Sequence, residues 1–258
     1  MATLYHATGL VLSRRPWREA DRAYAVLTPE HGKIDVIGRG ASKPLAKLSS
    51  HLELCAEVHL LLVQGRTYET VAGAEQIRTF PGIYGNLSTM TLAHQGLHLI
   101  DLGTRERQAD PKLYARALEW LAFVETAGPC RAERAAFLLA AFALKLLDLL
   151  GYCPELSHCL GCRTAVLPDA YRWHPLKGGI VCDACLRRFP QEWFAARPLP
   201  NEALKLVRFG IQEPFSDLLR LHLPGPLLPP FHEAVESLMA AHFPTIPALS
   251  LHEACAAC

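Results

Sequence analysis

Along the first 80 residues apolar and polar positions alternate in short runs, divided by glycine, proline and charge. TGLVLS at 8–13, AYAVLT at 23–28 and KIDVIG at 33–38 each predict a strand, the last following the turn-forming His31-Gly32. HLELCAEVHLLLV at 51–63 alternates over most of its length. Leu52, Leu54, Ala56, Val58 and Leu60 would face one way, and His51, Glu53, Glu57 and His59 the other, as in a strand with one face on a core. Gln64-Gly65-Arg66 predicts a turn and YETVAGAEQI at 68–77 a fifth strand. Five strands with glycine-rich turns suit a small, partly open barrel. The oligonucleotide-binding (OB) fold is the five-stranded candidate, and an SH3-like barrel fits the strand count almost as well.

The period changes from residue 83. Segments 86–102, 111–127 and 131–150 carry helical apolar spacing, separated by Asp110-Pro111 and Gly128-Pro129. The third is apolar nearly all round, which predicts the central helix of a bundle, ending at Gly151. Helical patterns resume near 201–211 and 230–242, and the prolines of LPGPLLPP at 223–230 predict a loop.

Composition adds limits. Half of the 258 residues are hydrophobic and a fifth are charged, so the chain can build a core without staples. A formal charge of +1 gives no global signal for nucleic acid, but the charge is uneven. Residues 14–47 hold eight basic side chains (Arg14, Arg15, Arg18, Arg22, Lys33, Arg39, Lys43 and Lys47) against four acidic ones. Most fall between predicted strands, where barrel loops would meet phosphates, and Tyr5, Trp17, Tyr24 or Tyr68 could stack bases. The start, MATLYHATGLVLSRR, lacks the basic and apolar regions of a secretory signal, and the apolar stretch at 135–152 is broken by Lys145 and Asp148. The expected compartment is the cytoplasm, where paired cysteines favour metal over disulfide.

Two Cys-x-x-Cys pairs, Cys159/Cys162 and Cys182/Cys185, have the spacing of a four-cysteine zinc site. Four thiolates fill tetrahedral zinc and leave no position for a reactive water, so the expected role is structural, with dithiol redox chemistry as the competing reading. Cys153, His158 and His174 read as neighbours. Cys55, on a predicted strand, and Cys130, at a helix start, read as packed thiols, and Cys255/Cys258 as a frayed tail. No phosphate loop, His-Glu-x-x-His or Gly-x-Ser-x-Gly is present. His51-Leu52-Glu53 followed by Cys-x-x-Cys is a partial zinc-deaminase signature, but no proline precedes either cysteine pair, and a strand would put His51 and Glu53 on its solvent face. The expectation is an α+β multidomain protein: residues 1–80 a five-stranded OB-fold barrel, and residues 81–258 an α-helical bundle domain. Residues 153–190 would be a zinc-finger-like insertion in that domain.

The order of these parts resembles one family. TGLVLSRRPWREADRAYAVLTPEHGKIDVIGRGASKP is similar to the start of the bacterial RecO family of recombination mediators, with Glu19 and Asp21, Leu27-Thr28, His31-Gly32 and Gly38 through Lys43 as the matching positions. FALKLLDLLGYCPELSHCLGC and GGIVCDAC are similar to its helix–cysteine junction and its second cysteine pair. The resemblance implies a non-enzymatic, nucleoid-associated protein that binds single- and double-stranded DNA and anneals complementary strands. It further implies that, with RecR, the protein helps load RecA onto DNA coated by single-stranded-DNA-binding protein (SSB). A zinc-ribbon protein that reads nucleic acid through the ribbon itself is the alternative.

Overall fold

The computed structural model describes residues 3–43, 46–243, 250, 251 and 255. The chain forms two compact units, Met1–Cys130 and Arg131–Cys258.

The first unit is built on five strands: β1 (Leu4–Pro16), β2 (Arg22–Thr28), β3 (Gly32–Gly38), β4 (Glu57–Gln64) and β5 (Glu69–Arg78). They close into a barrel of order β1-β2-β3-β5-β4, with β1 returning to pair with β4. Closure depends on a short parallel pairing, Val36 with Glu69 and Ile37 with Thr70. That connectivity, with α1 (Lys47–His51) between β3 and β4, makes it an OB fold, and the barrel is closed rather than partly open. Val58, Leu60 and Leu62 point inward on β4, where they meet Tyr24, Val26, Ile34 and Val36. The alternation at 51–63 is not one strand. Residues up to His51 form α1, Glu53 and Cys55 lie in the turn that follows, and only Glu57 onward pairs. Cys55 is buried there with a left-handed backbone (φ 62°). A period of two carries no handedness of its own, and five of those residues, 52–56, are needed to turn the chain from α1 into β4.

α2 (Pro81–Tyr84), α3 (Leu87–Gly103) and α4 (Pro111–Ala127) complete the unit. Asn86 caps α3 through Ser88 N–H, and Asp110 caps α4 through the N–H groups of Lys112 and Leu113 with proline at the first helical position. α3 lies along β1, where Ser13 donates to Asp101 at 2.8 Å.

The second unit surrounds α5 (Ala132–Leu149), whose thirteen buried residues bear out the all-apolar pattern. It ends in a Schellman turn: Gly151 takes φ 87°, Tyr152 N–H donates to Leu147 O and Gly151 N–H to Asp148 O. The hairpin of β6 (Tyr171–His174) and β7 (Gly179–Cys182) and the short α6 (Asp183–Arg188) follow. Then α7 (Asn201–Gln212), α8 (Phe215–Arg220) and α9 (Leu228–His242) pack on α5. Lys145, buried on α5, donates to Ile211 O at the end of α7 at 2.7 Å, so its charge lies where the helix dipole favours it. The prolines of 223–230 are not all loop: Pro229 and Pro230 sit in the first turn of α9, where a missing N–H costs nothing. Cys255 is 1 % exposed rather than frayed, and Cys258 lies outside the described residues.

Candidate nucleic-acid interface and metal centre

Three loops meet at one end of the barrel. Trp17 N–H donates to Asp21 O and Asp21 N–H to Arg18 O, which closes the β1–β2 loop on itself. The Asp21 carboxylate accepts from Gly40 N–H at 2.8 Å, and Ser42 N–H donates to Ala20 O at 2.9 Å, which ties that loop to the turn after β3. In the β4–β5 turn Gly65 N–H donates to Tyr68 O at 3.1 Å. A Cβ at Gly65 would lie 2.2 Å from that oxygen, so only glycine allows a turn this tight. The Trp17 ring meets Tyr68 edge-to-face at 4.8 Å. Between the loops runs an open groove of about 450 Å³ lined by Trp17, Arg18, Asp21, Arg39, Arg66 and Tyr68. The groove thus holds three arginines and one carboxylate, that of Asp21, which is already engaged on a backbone N–H.

The eight basic residues expected to contact DNA are not brought together. Arg14 and Arg15 lie on the end of β1, not in a loop, paired with Glu53 at 3.0 Å and Asp35 at 2.7 Å. Exposed pairs of this kind contribute about 0–1 kcal/mol, so those charges are screened rather than removed. Lys33 differs: only 12 % exposed, its amine donates to the Asp101 side chain at 3.1 Å and to Asp101 O, which makes it a strut against α3. Arg18 and Arg39 line the groove. Arg22 opens β2 half-buried, Lys43 is exposed on the turn after β3, and Lys47 begins α1 with its side chain outside the described part.

Of the aromatic candidates, Trp17 and Tyr68 are in the groove, with Tyr68 46 % exposed. Tyr24 is core. Tyr5 is held by the buried Glu69 carboxylate, which also receives Arg107 at 2.6 Å; burial first, then that carboxylate, push the Tyr5 phenol up. Arg66 was missed. Its signal was its place in a Gly-Arg turn between the fourth and fifth strands, a loop that flanks the binding face of an OB fold.

The second candidate site is the cysteine cluster. The sulfur atoms of Cys159, Cys162, Cys182 and Cys185 all lie within 4.8 Å of one another, close enough to hold one metal ion. Each pair is a backbone knuckle aimed at sulfur: Gly161 N–H and Cys182 N–H donate to Cys159 Sγ at 3.3 Å, and Cys185 N–H to Cys182 Sγ at 3.4 Å. Gly161 lets the knuckle pack closely, since a Cβ there would lie 3.0 Å from Cys185 Sγ and 3.1 Å from the Trp193 ring. Burial pushes the Cys159 thiol up, but the N–H groups of Cys182, Cys162 and Gly161 outweigh it and hold it below the usual thiol range. The Thr164 hydroxyl and N–H bring Cys162 down to about 6. Cys153, His158 and His174 are not part of the cluster.

Fold and sites together define an OB-fold protein with an appended helical unit clipped by four thiols. Two family descriptions match, "Recombination protein O N terminal" over residues 1–80 and "Recombination protein O C terminal" over residues 85–244. The chain is 33 % identical to a DNA repair protein RecO of Heliobacterium modesticaldum over 229 residues, 87 % of this chain and 80 % of the relative. It is 31 % identical to one of Desulfitobacterium hafniense over 182 residues (70 % and 64 %). It is 32 % identical to one of Symbiobacterium thermophilum over 184 residues (70 % and 71 %). The chain belongs to the RecO family of DNA repair proteins.

Proposed function

We propose that this chain is a DNA-binding recombination mediator. It binds and anneals single strands and, with RecR, assists RecA loading onto SSB-coated DNA in the bacterial cytoplasm, without covalent catalysis. The observation that carries the reading is the groove in which Arg18, Arg39 and Arg66 surround the Trp17–Tyr68 pair. Guanidinium groups release counterions from phosphates whatever the sequence, and exposed rings accept any base by its face. Arg22, at the start of β2, and Lys43, on the turn after β3, would add to it, as would Arg14 and Arg15 once phosphate displaces their carboxylates. In this reading residues 1–80 are the nucleic-acid-binding domain, and residues 81–258 are the helical domain with 153–190 as its metal-bearing insertion.

The metal is zinc and structural. Cys162 and Cys182 sulfurs stand 3.8 Å apart, matching the edge of a tetrahedron with Zn–S bonds of about 2.3 Å. Four thiolates then complete the coordination.

The test is anisotropy of a labelled oligodeoxynucleotide across a salt series. Arg18→Gln/Arg39→Gln/Arg66→Gln should weaken binding at least tenfold and lower the salt slope by about 2, from about 0.7 per phosphate contact. Unchanged affinity and slope would remove the groove. Failure of the chain to accelerate annealing of SSB-coated complementary strands would remove the mediator role.

A further inference from the structure

The four-cysteine cluster also fixes the backbone beside three charged residues. Arg163 directly follows Cys162, and Arg187 and Arg188 form the last turn of α6, whose first turn carries Cys185. The sulfurs of Cys162 and Cys185 lie within 4.8 Å and Gly161 packs on Cys185, so the clip sets the backbone that leads to Arg163 beside the helix that ends in Arg187 and Arg188, 24 and 25 residues further along the chain. Arg163 takes the left-handed conformation (φ 62°), and its N–H donates to Cys159 O at 2.9 Å, so the backbone is fixed while the side chain stands exposed.

The other cations of the module are occupied. Arg172 faces Asp183 at 3.8 Å, and Lys177 reaches Glu192 at 2.8 Å and lies over the Trp193 ring at 4.1 Å. Just beyond the module, Arg197 faces Glu233 at 3.6 Å. Arg163, Arg187 and Arg188 are exposed and make no ion pair among the described residues. Next to them Phe189 is 47 % exposed, with the Arg188 guanidinium 5.2 Å from its ring centroid.

We propose that this end of the metal module is a second contact for single-stranded nucleic acid, distinct from the barrel groove. Arg163, Arg187 and Arg188 would meet phosphates, and Phe189 a base. Guanidinium groups stay charged, match phosphate oxygens with two parallel donors and stack on rings. An open aromatic beside such groups is the arrangement that holds a strand by backbone and base face together. The inference rests on the reading of the chain as a DNA-binding protein, but not on the groove that carries it. Two strand contacts on one chain would make the meeting of two strands intramolecular, which raises their effective concentration.

The test uses the full, metal-loaded chain. A biotinylated oligodeoxythymidylate is bound first, and capture of a second, fluorescent oligodeoxythymidylate is then measured. Arg163→Gln/Arg187→Gln/Arg188→Gln should lower second-strand capture at least tenfold, leave first-strand affinity within about twofold, and keep one metal per chain. Phe189→Ala alone should lower capture by several fold. Cross-linking of wild-type protein to 5-bromodeoxyuridine oligonucleotide should mark the peptide that holds Phe189, a readout that needs no variant. Unchanged capture in the triple variant, or cross-links confined to residues 1–80, would overturn the proposal. So would a variant that loses only binding to polyglutamate, since the surface would then face an acidic protein. If the groove variant binds the first strand normally while the module variant still loses second-strand capture, the groove reading fails and this one stands.

Discussion

The barrel and the metal module solve the same problem with different means. Each must hold irregular, charged loops in fixed positions at the end of a small β structure. The barrel does so with a core of thirteen buried residues, from Ala7 to Val71, and strands that close on themselves. The module has two four-residue strands, with Cys159 and Val181 clustered against Trp193 at the thiols and only a few more buried apolar side chains, Leu156, Tyr171, Trp173 and Ile180, along the hairpin. So small an apolar set offsets only part of the backbone entropy of nearly forty ordered residues, at about 1–2 kcal/mol each. On the proposed reading, a metal held by the four thiols supplies what the core lacks, as in other small domains that need a metal staple.

The largest effect that would break this contrast comes from the metal. Cys182→Ser/Cys185→Ser should abolish metal binding and open residues 153–190 to protease, while the barrel keeps its melting behaviour. A structural zinc site contributes about 10–16 kcal/mol of apparent binding energy in zinc-finger peptides, far above any single side chain. Metal analysis and limited proteolysis with mass mapping would show it. A module that resists protease without metal would mean that its contacts with the surrounding helices, not the clip, order it.

A smaller effect tests the other side. Leu60 is fully buried in the barrel core, so Leu60→Ala should cost about 2–5 kcal/mol, from lost burial plus the cavity left behind. Denaturant unfolding followed by barrel-specific fluorescence would measure it, with metal content unchanged. Loss of metal in this variant would show that the two regions do not unfold independently.

The same contrast explains what could be read from sequence. Helices such as α4 and α5 were legible because their caps and periods are local: Asp110-Pro111 at one end, Gly151 at the other. The cysteine cluster was legible because knuckle geometry is written in spacing. The groove was only half legible. A count of basic residues sees Arg14, Arg15 and Lys33 but not their carboxylate partners, which lie 39, 20 and 68 residues away. It also passes over Arg66, one charge in a turn, which gains meaning only when β3 and β5 pair and bring its loop beside Arg18 and Arg39. The turn at 52–56 was lost because alternation fits a strand and an irregular, half-buried segment equally well.

The smallest effect separates the clip from the packing that assists it. His174 ends β6, is buried against Trp193 with ring centroids 5.6 Å apart, and its Nδ1 accepts from Lys177 N–H at 3.2 Å. Burial, ahead of the nearby Lys177 charge, holds this imidazole below its ordinary value near 6.5. Between that value and the lower folded one, the unfolded module binds the proton and the folded module does not. Stability contributed by neutral His174 is therefore fully present above about pH 6.5 and is lost as pH falls through the folded pKa. Protonation also removes the acceptor from the Lys177 N–H, which loosens the Pro175–Lys177 turn of the hairpin. Release of a metal held by the four thiolates would act in the same direction, because thiolates protonate at low pH. A comparison with His174→Gln, which cannot titrate, isolates the histidine. Hydrogen exchange over residues 171–182 should accelerate between pH 7 and pH 5.5 more in the native chain than in this variant. Coincident curves would assign all of the module's acid sensitivity to its four thiolates and none to the ring packed beneath them.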